Sequence, residues 1–186
     1  MTNSKEAILV TARQIAQSYG YSGLNFRDLA AQVGIKAASI YHHFPSKAAL
    51  GAAVARRYWE DTESELDILL KNAADPISAL REYPKIFRRS LESDNRLCLC
   101  SFMSAEYDDL PDEVTAEVRT FSDINVAWIR KALAAAGMTR PEDSEARARA
   151  IFAAVAGAQL MARSRCDISL FDALIESYRA TGLLPA

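Results

Sequence analysis

Three helix-breaking residues, Gly20, Gly34 and Pro45, divide the opening stretch of the chain into pieces too short to be stable alone. Phe26 to Gln32 and Ala37 to His43 are each about seven residues with apolar groups at helical spacing, and isolated helices shorter than ~12–15 residues are marginal in water. Both must be held by longer neighbours. Ile8, Leu9, Ala12, Ile15, Ala16 and Tyr19 recur at helical spacing and predict a first helix, capped by Asn3 or Ser4 and stopped at Gly20. Ser46 caps a fourth, which starts at Lys47 and passes Trp59 to end near Lys71. Asn25 is the expected N-cap of the second helix, whose inward face is Phe26, Leu29, Ala30 and Val33. The third turns Ala38, Ile40 (or Tyr41) and Phe44 inward, and Gly34 supplies the positive φ of a tight turn between the two.

The same periodicity continues. Pro76 opens a helix to about Ser93, Leu97 to Tyr107 is a shorter one, and Pro111 opens another to Ala136 that ends at Gly137. Pro141, followed by Glu142, Asp143 and Glu145 at the positive end of the helix dipole, opens one to about Arg165. The last begins at Asp167 or Ser169 and ends before Gly182. No segment alternates with period two. The fold class is therefore all-α, with about nine helices. A three-helix, helix-turn-helix domain spans residues 1–47, and a larger helical domain spans 48–186, with 73–75 and 137–143 as its clearest interruptions. Half of the residues are hydrophobic, enough for a sizeable core.

The net charge of −2 conceals an asymmetry. Residues 1–57 carry seven basic and two acidic side chains, and residues 58–186 carry 15 and 22. A basic head on an acidic body suits a nucleic-acid-binding module joined to a larger non-binding domain. No signal peptide and no apolar run of about 18 residues is evident, so no membrane partner is expected and the chain reads as cytoplasmic. Cys98, Cys100 and Cys166 are an odd count without a secretory signal, which points to reduced thiols.

In a helix-turn-helix one helix crosses the phosphate backbone while the next lies in the major groove. The first turn of the reading helix must be small or polar to approach base edges. Here it is Lys36, Ala37, Ala38 and Ser39. Lys36 suits a guanine edge or a phosphate, Ser39 either, and Ala37 a thymine methyl. Tyr41, His42 and His43 follow, and Lys47 at the start of the fourth helix suits a phosphate. Tyr41 also reads as a packing residue and His42 as a solvated one. The adjacent histidines lack metal-ligand spacing, so no metal site and no cofactor are expected.

The stretch Gly20 to Leu50, GYSGLNFRDLAAQVGIKAASIYHHFPSKAAL, resembles the N-terminal domain of TetR-family repressors. The resemblance rests on the Gly-aromatic pair, the Arg-Asp-Leu-Ala run, the Val-Gly turn and the run Ser-Ile-Tyr-His-His-Phe-Pro-Ser-Lys, and covers about 45 residues with the first helix. It implies that Asn25, Arg27, Lys36, Ala37, Ser39, Tyr41, His42, His43 and Lys47 face DNA, with Phe26, Leu29, Val33, Ile40 and Phe44 in the core. Two positions depart from the pattern: Asn25 replaces the usual Ser or Thr, and Lys36 replaces a capping Ser or Thr.

In that family helices four to seven usually enclose a ligand cavity, and the last two helices pair with a second subunit. Trp59, Tyr83, Phe87, Phe102, Met103, Tyr107 and Trp128 are the expected pocket residues, although ordinary cores are lined in the same way. The small and large residues of IFAAVAGAQLMA suit close helix packing. Phe152, Val155 and Gly157, with Phe171, Leu174 and Tyr178 of the last helix, are the expected homodimer interface. The segment RLCLCSFMSAEYDDLP is similar to that of TetR-type repressors of electrophile-detoxifying reductases, which implies a sensing role for Cys98, with Cys100 beside it. Arg96 and Arg88 or Arg89 would lower the pKa of such a thiol. Against this, cysteines are often buried small hydrophobes, and residues i and i+2 of a helix point apart.

The function expected is a homodimeric repressor that binds a palindromic double-stranded operator and is released by a small molecule or an electrophile. The alternatives are an architectural DNA-binding protein without a ligand, or a helical enzyme. No catalytic residues are nominated. The only histidines lie in the DNA-reading segment, and Glu106, Asp108 and Asp109 read as a solvated helix end.

Overall fold

In the computed structural model, which describes residues 4–186, the periodic segments are helices and no strand occurs among the described residues. Asn3, one of the two expected caps of the first helix, lies outside them. The α-helices are α1 (Ser4–Tyr19), α2 (Phe26–Val33), α3 (Ala37–His43), α4 (Lys47–Asn72), α5 (Pro76–Glu82), α6 (Pro84–Glu92), α7 (Leu99–Ala105), α8 (Asp112–Ala135), α9 (Ser144–Arg165) and α10 (Ile168–Ala180). Short 3-10 turns cover Tyr107–Asp109 and Pro141–Asp143.

Three boundaries differ from expectation, each for a local reason. The single helix expected from Pro76 to Ser93 is two. Pro84 has no N–H to donate and its ring crowds the preceding turn, so the hydrogen-bond ladder breaks at Tyr83. Asp94 and Asn95 then take left-handed conformations, with φ of 58° and 53°, which these side chains tolerate better than most. This delays α7 to Leu99. At the third boundary, Pro141 starts a 3-10 turn and α9 proper begins at Ser144.

By their packing the residues fall into two units. The first contains the chain up to Glu60 together with Leu99–Phe121; the second contains Asp61–Cys98 and Ser122–Ala186. Helices α4 and α8 contribute residues to both. In the first unit Ile8, Ala12, Leu29, Ile40 and Leu50 are fully buried. Burying a Leu or Ile side chain contributes about 1.5–3 kcal/mol, and this holds the short α2 and α3. In the second unit α9 packs on α6 and α10 around Phe87, Ile151, Val155 and Phe171.

Candidate nucleic-acid interface

Asn25 caps α2 as expected: its Oδ1 accepts the backbone N–H of Arg27 at 2.8 Å and of Asp28 at 3.2 Å. Gly34 ends the helix at φ 77°, and the N–H groups of Gly34 and Ile35 return to Ala30 O at 3.0 Å. This C-terminal cap aims the chain into α3 within three residues. Lys36 is the N-cap residue of α3 and makes no side-chain cap bond.

Ile40 and Phe44 point into the core, which settles the choice between Ile40 and Tyr41. The opposite face of α3 is open. Lys36, Ala38, Tyr41 and His42 are exposed there, with Ala37 and Ser39 half-buried. Tyr41 rests one ring face near Phe26, with centroids 4.8 Å apart, yet stays 58% exposed. Packing thus orients the ring without burying it. Asn25 and Arg27 at the start of α2 are exposed as well.

Two nominated residues are engaged inside the unit. His43 Nε2 shares a 2.7 Å hydrogen bond with Ser4 Oγ, joining the end of α3 to the start of α1. Lys47 Nζ donates to Ser22 O at 3.0 Å and lies 4.6 Å from the Tyr21 ring centroid. Much of the basic excess is internal too. Arg57 pairs with Glu6 at 3.2 Å, Arg13 lies over the Tyr58 ring, and Arg56 pairs with Glu117.

Glu117 is a residue for which the sequence carried no signal. It is 9% exposed and accepts from Arg56 Nε at 3.0 Å and from the Trp59 ring N–H at 2.8 Å. Burial raises its pKa, but these hydrogen bonds and the charge of Arg56 outweigh that and hold the carboxyl below its ordinary value.

Residues 8–54 match the model of the family described as bacterial regulatory proteins, tetR family. A TetR-family transcriptional regulator from Agrobacterium tumefaciens, known as a crystal structure, is 31% identical, with 94% of each chain covered and a TM-score of 0.86. The chain belongs to the TetR family. A TetR regulator from Legionella pneumophila has the same fold, with a TM-score of 0.91 and 27% identity over 97% of this chain and 98% of that one. The transcriptional repressor DhaR of Mycobacterium sp. (strain GP1) is 29% identical over 63% of this chain, a match that spans only 59% of that repressor.

Among the pocket residues nominated for this TetR-family chain, Trp59, Phe102, Met103 and Tyr107 lie in the first unit. Met103 is buried, Trp59 and Phe102 are half-buried, and Tyr107 is exposed, its hydroxyl accepting from Arg119 at 2.7 Å. Tyr83, Phe87 and Trp128 lie buried together in the second unit. Tyr83 stacks on Trp128 with centroids 5.5 Å apart and donates to Asn125 Oδ1 at 2.9 Å. Burial pushes the Tyr83 hydroxyl well above its ordinary pKa. Beside them Gln159 is fully buried, accepting the Cys98 N–H at 3.0 Å and donating to Phe87 O at 2.6 Å. A separate groove of about 410 Å³ runs along α6, lined by charged residues such as Glu65, Lys85 and Arg89.

Cys98 is 1% exposed and Cys100 is buried, while Cys166 is exposed. The arginines nominated to act on Cys98 are in ion pairs: Arg96 with Asp94, Arg88 with Asp172 and Glu92, and Arg89 with Glu65. Of the residues nominated for pairing, Val155 and Phe171 are buried within the subunit. Phe152, Leu174 and Tyr178 are half-buried and Gly157 is exposed. The open side of α9 also presents Leu160 and Met161, 58% and 49% exposed, both within the IFAAVAGAQLMA stretch expected to pack closely. No helix among the described residues is long and apolar enough to cross a membrane, and none of their His, Cys, Asp and Glu side chains cluster in threes to hold a metal.

Proposed function

We propose that this chain is a transcriptional repressor that binds operator DNA as a homodimer and is released by a small molecule. Residues 1–47 supply the DNA-contacting surface, and 48–186 the effector and pairing surfaces. The observation that carries this reading is the open face of α3, small and polar, on a helix anchored by Ile40 and Phe44. Such a face fits a major groove. Tyr41, Lys36, Ala37, Ser39 and His42 read bases and phosphates, with Asn25, Arg27, His43 and Lys47 at the margin. Pairing uses the open stripe of α9, where Ala150, Ala153 and Gly157 permit close approach and Leu160 and Met161 fill gaps. A two-fold pair of reading helices matches a palindromic site.

The effector reading rests on Tyr83, Asn125 and Gln159, polar groups set among Phe87 and Trp128, the pattern of a small-molecule site. A bound molecule shifts the conformers only by its differential affinity for them. Modification of Cys98 would need prior opening of its segment, since the thiol is buried. Replacing Cys98 by Ser would abolish release by a thiol-reactive compound; release that persists assigns the effector to reversible ligands.

The test is binding of purified protein to the intergenic duplex beside its own gene, against a scrambled duplex of equal length. A specific repressor should prefer the former by about 10³-fold or more at physiological salt. Equal affinity with a steep salt slope would instead favour the architectural alternative.

A further inference from the structure

We propose that Glu106 is a positioning residue for the DNA-reading helices, acting through the turn between α1 and α2. After α1 the backbone N–H groups of Tyr21 and Ser22 no longer meet helix carbonyls, because Gly20 has turned to φ 72°. The Glu106 carboxylate takes both, at 2.5 Å from Tyr21 N and 3.0 Å from Ser22 N. A charged acceptor on two consecutive backbone donors is a strong tie. Gly20 makes room for it, since a Cβ there would overlap the carboxylate as well as being strained at that φ.

Glu106 is itself held in place. Its N–H returns to the carbonyl of fully buried Met103 at 2.9 Å, and its carbonyl accepts from Asp109 N at 2.9 Å. The other side of the turn is secured by Lys47, whose ammonium donates to Ser22 O at 3.0 Å above the buried Tyr21 ring. One peptide segment is thus clamped through its N–H groups by a carboxylate and through its carbonyl by a cation. From it the chain passes through buried Leu24 directly to the Asn25 cap of α2. Releasing the clamp frees the entry to α2 and loosens Lys47 at the start of α4. Asp108 and Asp109, neighbours in the same acidic run, are exposed and make no such tie to the turn.

The inference rests on the DNA-binding reading above, so the experiment separates the two. Wild-type protein selects a duplex from a random pool, and that duplex then probes Glu106→Ala, Glu106→Gln and, as control, Asp109→Asn. Backbone amide exchange at Tyr21 and Ser22 is followed in the same proteins. Glu106→Ala should weaken binding about tenfold or more, a loss of ~1.4 kcal/mol or more, and speed exchange at those two amides. Glu106→Gln, keeping one acceptor oxygen, should fall between it and wild type, and Asp109→Asn should match wild type. Unchanged affinity or unchanged exchange in Glu106→Ala would overturn the proposal, as would an equal loss in Asp109→Asn. Should Glu106→Ala fail to fold, Glu106→Gln decides by the same readouts. If wild-type protein selects no duplex, the DNA-binding reading fails, and the amide exchange still tests the clamp.

Discussion

The two units of this chain differ in the ties that reach deepest into them. In the first, distant segments are joined by carboxylates: Glu106 on the turn after α1, and Glu117 on Arg56 and Trp59. In the second, the deepest ties are neutral: Tyr83 to Asn125, Trp128 to Leu66 O, and Gln159 to Cys98 and Phe87. Charged ties answer to proton concentration, whereas neutral buried ones are costly to break under any condition. Glu117 is the case in point: burial raises its pKa, but the bonds from Arg56 and Trp59 hold the carboxyl below its ordinary value.

The largest effect should come from the neutral side. Gln159→Leu removes two buried hydrogen bonds, one from the Cys98 N–H and one to the Phe87 carbonyl, and taking a partner from a buried polar group costs about 1–3 kcal/mol. Chemical denaturation should show a loss of about 2–5 kcal/mol that is the same at pH 4 and pH 7; a pH-dependent loss would erase the contrast. Glu117→Gln should cost about 1–3 kcal/mol near neutral pH. The folded carboxyl lies below its ordinary value of 4.5. Its contribution is therefore complete above that value and disappears as pH falls through the depressed one. Variant and wild type should converge in acid; a gap that stays constant would show the tie to be effectively neutral.

Function should separate from stability at the open face of α3. Tyr41→Ala should lower affinity for the selected duplex about tenfold (~1.4 kcal/mol) while leaving the denaturation midpoint nearly unchanged, because the ring is 58% exposed. A matching loss of stability would make Tyr41 a packing residue of Phe26. The smallest effect should be at Arg27: removing one phosphate contact lowers the slope of log affinity against log salt by about one, with little change in sequence preference. An unchanged slope would take Arg27 off the interface.

Legibility followed distance along the chain. The bounds of α2 and α3 could be read because Asn25, Gly34 and Pro45 act on immediate neighbours, and Ile40 and Phe44 follow from spacing. The break at Pro84 was readable in principle, since proline rarely continues a helix, but helical periodicity on both sides of it concealed the joint. Glu106 and Glu117 were invisible for a different reason. Their partners lie 85 and 61 residues away in sequence, and a carboxylate near a helix end has the same local pattern whether it is solvated or clamping a turn. In the second unit, their bulk and the family resemblance singled out Tyr83, Phe87 and Trp128, but the hydrogen bonds to Asn125, Gln159 and Leu66 depend on packing that no local pattern encodes.

The first unit is not a continuous length of chain, because Leu99–Phe121 belongs to it. This matters for anyone who would transplant the proposed DNA-contacting surface onto another regulator. A graft of the opening 60 residues would leave behind Glu106, Glu117 and Phe121, and with them the anchors of the α1–α2 turn and of Arg56, Trp59 and Tyr58. A chimera built on the proposed DNA-contacting surface must exchange two stretches of sequence together, so that surface is inherited as a spliced pair rather than as a detachable head.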